Sequence, residues 1–310
     1  MKNVKADLTL KDNGMQACLL GTNNRLHLHH GPIDMIISTD GKHLPELFTA
    51  ATEAGMSILT TLVDELPLLR KPFRKDRHFE GPVAQRMQAA CYLANGRFVT
   101  PMIAVAGAVA DHILAAMLAT KLTAELVNDI TKISVNNGGD VAFWTAPGAV
   151  LNAQIVGGNG GKVTLRGPTV WRGLATSGWR GRSQSLGIAD SVTVLARSAA
   201  SADIAATLVA NAVNLPDHKG IARVPANSLY PDSDLDTRLV TTGVPRLSQM
   251  DVRTALDGGV TLAQEMLDQG QIAGAVMNLQ GSHRIIGMAD ETITHDPFQN
   301  DNKEIKENYA

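Results

Sequence analysis

At 310 residues, 44% hydrophobic and only 4% aromatic, the chain can bury a large core packed mainly with Ala, Val, Leu and Ile. A formal charge of −2 excludes the broad basic surface that generic nucleic-acid or polybasic membrane binding requires. Cys18 and Cys91 show neither metal nor CxxC spacing, which fits a reducing cytoplasm and not a disulfide framework.

The opening residues, Met1–Gly14, turn polar before an apolar h-region forms, which argues against a signal peptide. No apolar run reaches membrane-spanning length without interruption by Asp, Lys or turn residues. Arg25–His30 and Ile33–Ser38 read as strands punctuated by Gly31-Pro32 and Asp40-Gly41, with His27 and His29 on one face and His30 on the other. Two His at i, i+2 can bind zinc, but no third and fourth ligands stand at motif spacing. Leu44 to about Leu62 reads as one helix, and Pro67–Pro82 as a solvated basic loop carrying Arg70, Lys71, Arg74, Lys75 and Arg77.

Thr100 and Pro101 form an N-cap and N1 pair opening a helix over Met102–Leu118, whose only ionisable residues are Asp111 and His112. A helix apolar all round is a buried one, and a buried carboxylate needs partners. Asp111 therefore either caps a nearby backbone segment, meets an arginine, or faces a wet site. A strand-rich stretch follows: Lys132–Asn136, Val141–Trp144, Val150–Val156, Lys162–Arg166 and Leu174–Thr176. Asn136-Asn137-Gly138-Gly139-Asp140 is a hairpin signal, or a turn whose glycines let backbone approach a ligand. Gly157–Gly161 is followed by a strand and so fails as a dinucleotide loop; it reads as a hairpin tip. Leu215–Arg246 reads as a long surface excursion, Met250–Leu256 and Leu262–Leu267 as short helices, and Ile272–Leu279 and Arg284–Met288 as closing strands. The expectation is one α+β domain over residues 1–289, in two similar halves (25–130 and 131–289), then a polar tail over 290–310. Ala110-Asp111 echoes Ala202-Asp203, which hints at an internal duplication.

The chemistry concentrates in Leu174–Asn211. Thr176-Ser177-Gly178 and Arg180-Gly181-Arg182-Ser183 supply hydroxyls, backbone N–H groups and two guanidiniums, the donors that suit phosphate oxygens. On the following alanine-rich helix Asp203, Thr207 and Asn211 fall at i, i+4 and i+8, one stripe of oxygen donors. Hard oxygen donors beside a phosphate suit Mg²⁺. The competing reading makes Ser201 the N-cap and Asp203 an acid favoured by the helix dipole.

His30-Gly31-Pro32-Ile33-Asp34, Thr100–Asp111, Asn136–Asp140 and Ala175–Asn211 together resemble a prokaryotic family of ApbE-like proteins, distant relatives of the ApbE flavin transferases. The likeness runs over most of residues 25–214. It implies an α+β architecture related to the tunnelling fold, and a reaction in which Mg²⁺ and FAD serve to attach FMN to a threonine of a target protein. It implies Asp203, Thr207 and the Ile103 carbonyl as metal ligands. The turn of Asn137, Gly138, Gly139 and Asp140 would lie beside the flavin, and Thr176, Ser177 and Gly178 match the family's ATSG. Two departures stand out: Ala106-Gly107 replaces the family's Lys-Gly, and the segment WRGRSQSLGIADS lacks the family's histidine. No catalytic residue is assigned. Three readings follow: a cytoplasmic Mg²⁺-assisted transferase or hydrolase acting on a phosphate-bearing ligand such as FAD; a protein for a pterin- or purine-like ligand; and a structural protein with a degenerate site. The first two have a small molecule as the partner, none calls for a nucleic acid or a membrane, and open sheet edges would favour a homo-oligomer.

Overall fold

The computed structural model describes residues 14–21, 24–41, 44–120, 129–155, 161–287 and 292–294. The chain divides into two compact units: Met1–Ala149 with Gly167–Ala175 and Leu195–Ala205, and Val150–Arg166 with Thr176–Val194 and Ala206–Ala310. The architecture is α+β, and the strand pairs joined by tight hairpins are antiparallel.

In the first unit the strands are β1 (Gln16–Leu20), β2 (Arg25–His30), β3 (Ile33–Thr39), β4 (Lys132–Asn137) and β5 (Asp140–Thr145), with β8 (Gly173–Ser177) entering beside β5. Alternation sets the faces: Leu26, Leu28, Met35, Ile37, Ile133 and Val135 point into the core, while His27, His29 and Asp34 face outward. Asn137 pairs with Asp140 across a two-residue turn whose glycines, Gly138 and Gly139, have φ of 66° and 116°. Positive φ at both central positions is what a tight hairpin turn of this hand demands. Helices α1 (Leu44–Gly55) and α4 (Val105–Ala119) pack on the sheet, α4 against β4 and β5, while α2 (Ile58–Leu69) and α3 (Pro82–Cys91) pack on helices, α3 against α4.

The second unit holds a small sheet of β6 (Val150–Gln154), β7 (Lys162–Arg166) and β14 (Thr292–Thr294), and a ribbon of β10 (Ala222–Pro225) with β11 (Leu239–Gly243). It also holds β9 (Ser191–Ala196), β12 (Ile272–Leu279) and β13 (Ser282–Gly287), in that order, the last two packed against the long helix α7 (Gln249–Asp268). A four-residue helix, α6 (Ala226–Leu229), follows β10. All eight residues of β12 are buried, which explains its near-continuous apolar run. Strands β8 and β9 and helix α5 (Ala199–Ala212) carry residues of both units.

Several expectations are corrected. The single helix over residues 44–62 is two helices, α1 ending at Gly55 and α2 starting at Ile58. Helix α2 then runs through Pro67 to Leu69, so the basic loop starts later; Pro67, in the last turn, forgoes the amide bond to the Val63 carbonyl four residues back, and the helix ends two residues on. The loop is pinned rather than loose: Arg77 donates to the carbonyls of Leu68 and Pro72 at 3.1 and 3.2 Å, and Arg74 pairs with Asp76. Helix α3 was not foreseen, although Pro82 occupies its first turn. Thr100 and Pro101 open a short 3₁₀ turn, Pro101–Ala104, and the α-helix proper starts at Val105. The stretch over residues 215–246 is not featureless, because it contains the β10–β11 ribbon and α6.

The two short helices near the C-terminus are one, α7, running straight through Gly258-Gly259. A Cβ on Gly259 would stand 2.4 Å from Val213 Cγ2 and 2.9 Å from Met277 Sδ, so this glycine serves close packing and not chain reversal. The 19-residue stretch Pro101–Ala119 contains an 18-residue window with a mean hydropathy of 1.9. Its central Asp111 is nevertheless bonded inside the unit, which is the environment of a core helix. The expected hairpin tip over residues 157–161 and the tail from residue 290 lie largely outside the described residues.

Candidate functional site

In the first unit α4 and α5 each cap the other's N-terminal turn through an inner carboxylate. Asp111, buried on α4, accepts hydrogen bonds from the amides of Ala199 and Ala200 at 2.9 Å each. These are the first amides of α5, which have no partner within their own helix. In return Asp203 of α5 accepts from the Gly107 amide at 3.2 Å, and the Ala106 amide also favours its ionised form. The helices can approach this closely because position 107 is glycine: a Cβ there would sit 2.3 Å from the Ala199 carbonyl oxygen. Of the readings open for Asp111, the backbone cap is the one observed. The N-cap of α5 is Ser198 and not Ser201; its hydroxyl accepts from the Ser201 amide at 3.1 Å.

Two further groups converge on this corner of the first unit. The buried Asn137 donates through Nδ2 to the Ala106 carbonyl at 3.0 Å, tying the β4–β5 turn to the start of α4. Asn136 Oδ1 accepts from the Gly139 amide at 2.9 Å and fixes the turn itself. Asp140, which closes that turn, is near enough to Asp203 to act on its charge. Burial, then Asp140, raises the Asp203 carboxyl well above the ordinary carboxylate range, against the opposing pull of the Gly107 and Ala106 amides. Burial likewise raises Asp111, opposed by its two capping amides. In a continuing helix the Gly107 amide would reach the Ile103 carbonyl four residues back; here it turns to Asp203 instead, so that carbonyl lacks this partner. Ile103, Ala106, Asp140 and Asp203 all keep partial solvent access in an otherwise buried neighbourhood.

The second unit gathers the hydroxyl-rich strand end. Thr207, one turn beyond Asp203 on α5, donates to Ser177 Oγ at 3.2 Å, and the Thr176 and Thr193 hydroxyls are 2.8 Å apart. Gly178 has a φ of 156° and lies against the backbone of the residues before β9; a Cβ would stand 2.5 Å from the Asp190 carbonyl oxygen. The two arginines differ. Arg180 is committed to Asp190, at 2.6 Å, and stacks over Trp179 at 4.7 Å. Arg182 is exposed, its guanidinium unpaired among the described residues. Asn211, third in the helix stripe, accepts from the Leu186 amide at 2.9 Å and so holds a backbone segment.

Asp190 went unnoticed in the sequence, yet it organises this loop, accepting from Arg180, from Trp179 Nε1 at 3.2 Å and from the Gln280 amide at 2.6 Å. Its signal was an isolated acid amid apolar residues immediately before a fully buried strand. Among the described residues no group of three or more His, Cys, Asp and Glu could hold a metal ion. Asp203 and the Ile103 carbonyl of the first unit are of another kind, one carboxylate and one neutral oxygen, the ligand types that hard cations favour.

A family model described as AbpE bacteria matches residues 17–285. The UPF0280 protein of Methanothermobacter thermautotrophicus is 35% identical over 147 residues, covering 44% of this chain and 51% of that protein. The UPF0280 protein MJ1526 of Methanocaldococcus jannaschii is 32% identical over 158 residues, covering 47% of this chain and 59% of that protein. The chain thus spans about half the length of the curated relatives it matches. Two solved structures are also similar. The ApbE protein of Thermotoga maritima is 12% identical, over 86% of this chain and 96% of that one, with a TM-score of 0.49. Apo flavinyl transferase ApbE of Pseudomonas stutzeri is 11% identical, over 89% of this chain and 95% of that one, with a TM-score of 0.46. The family match covers most of the sequence, including every stretch that carried the resemblance from residue 25 onward, and the chain belongs to this ApbE-like family, AbpE bacteria.

Proposed function

We propose that the chain binds a phosphate-bearing ligand such as FAD together with Mg²⁺, and acts as a transferase or hydrolase of the flavin-transferase kind. The observation that carries this reading is Asp203. Its carboxylate is held by the first-turn amides of α4 while Asp140 adds negative charge nearby, with no basic side chain among the groups that set its ionisation. A cation would relieve that accumulation, and Asp203 with the Ile103 carbonyl, both of the first unit, would hold it. Bound there, the ion would supply Lewis-acid polarisation of a pyrophosphate oxygen. On the second unit, Thr176, Ser177 and the Gly178 turn would offer donors to phosphate and Arg182 is free to meet charge; on the first, the Asn137–Asp140 turn would offer its backbone to a ring. Thermal unfolding tests the reading. FAD with Mg²⁺ should raise Tm, and Asp203→Ala should remove that shift. No shift with any dinucleotide, with or without metal, would sink it.

A second reading, ligand binding without flavin transfer, is favoured by Ala106 in place of the family's lysine and by the engagement of Arg180 with Asp190. Mass spectrometry of the gently denatured protein separates the two. A co-purifying pterin or purine without FAD turnover supports binding alone.

A further inference from the structure

A cavity of about 500 Å³ in the second unit lies between the N-terminal half of α7 and strand β13, lined by Gln249, Met250, Val252, Arg253, Leu256, Ser282 and Arg284. Its lining is divided by chemistry. Leu256 is fully buried and Val252 nearly so, giving an apolar floor, while Met250 is 69% exposed at the rim. Arg253 is exposed, its guanidinium unpaired among the described residues, while Arg284 donates to the His283 carbonyl at 3.1 Å and stands 3.9 Å from Asp257. Arg284 stands opposite Met277 across the β12–β13 pair, and Met277 packs toward α7 beneath Gly259, so this arginine is on the helix side of the strand.

Two guanidiniums brought to one cavity by different elements concentrate positive charge there, which an anion would neutralise. The fork of an arginine matches phosphate and carboxylate alike, and Ser282 and Gln249 add neutral donors at the same place. The volume is that of a small-molecule site. We infer that this groove is a second ligand site, taking a small molecule with an apolar body and one phosphate or carboxylate group. Arg253 and Arg284 bind the anion, Val252 and Leu256 receive the body, and Asp257 competes with the ligand for Arg284.

Isothermal titration of the full chain with phenyl phosphate, benzoate, phenol and inorganic phosphate tests this. Phenyl phosphate or benzoate should bind saturably and at least about tenfold more tightly than phenol or inorganic phosphate, since both halves of the site are needed. Whichever of the two binds more tightly identifies the anion. Arg253→Gln and Arg284→Gln should each weaken binding about tenfold or more, whereas Asp257→Asn should strengthen it by freeing Arg284. Asp203→Asn should leave it unchanged, which separates this site from the one proposed above. Absence of saturable binding in folded protein, equal affinity for phenol, or indifference to both arginine substitutions would overturn the inference.

Discussion

Asp203 is a carboxylate whose folded pKa lies above its unfolded value near 3.8, because burial and Asp140 both oppose its charge. The folded chain therefore holds this proton over a pH range in which the unfolded chain has released it. Stability must fall as pH rises from the unfolded pKa through the raised folded one, and stay at the lower level above it. Asp111 contributes with the same sign. Asp203→Asn keeps an acceptor for the Gly107 amide while deleting the charge. In the absence of ligand it should raise neutral-pH stability by about 1–2 kcal/mol, flatten this pH dependence and abolish any response to Mg²⁺. Urea unfolding across pH 4–8, with and without the metal, would show all three (roughly the window set by the unfolded carboxylate value). Asp111→Ala should do the opposite and cost about 2–3 kcal/mol, since it leaves two first-turn amides of α5 unsatisfied; Asp111→Asn, retaining one acceptor, should cost less. The need of Asp111 for a partner was legible from the sequence, because an acid inside an apolar helix is too costly alone. The identity of that partner was not, because its amides lie 88 and 89 residues away.

At the scale of elements, glycines decide how near two helices or a helix and a strand can come. Gly107→Ala would drive a methyl group into the Ala199 carbonyl, which is backbone and cannot rotate aside. We expect a loss of about 2–3 kcal/mol, and amide exchange at Ala199 and Ala200 should accelerate as their cap is pulled away. If exchange there is unchanged, the close approach is not what holds the cap. The same logic accounts for the misreading of α7. Glycine weakens an isolated helix, but packing of Gly259 against Val213 and Met277 outweighs that propensity here. Hairpin strands were legible almost to the residue, as at Arg25–His30, because alternation and turn residues are local. Breaks such as that between α1 and α2 were not, since periodicity continues across them.

At the scale of the whole molecule, a low-aromatic composition was an early pointer to a core of small aliphatic residues, and α4, β9 and α5 bear it out. Such a core tolerates little solvent entry, and the two cysteines report on it. Cys18 is exposed on β1, while Cys91 is 1% exposed at the end of α3, where burial pushes its thiol up to about 12. A disulfide reagent added to native protein at neutral pH should consume one thiol equivalent quickly and the second only on global unfolding. Rapid reaction of both would mean that the first unit opens locally around α3.

The exchange of caps between α4 and α5 also sets a condition on the order of folding. Until residues 199 and 200 have been synthesised, Asp111 has no amides to accept, and until residue 203 is present the first turn of α4 has no carboxylate. A nascent chain ending shortly after β5 carries most of the first unit's strands and helices but has a lone acid at the centre of its most apolar helix. The first unit should therefore close late, when the second of its two central helices leaves the ribosome, and N-terminal fragments that stop before residue 199 should remain protease-sensitive at every length.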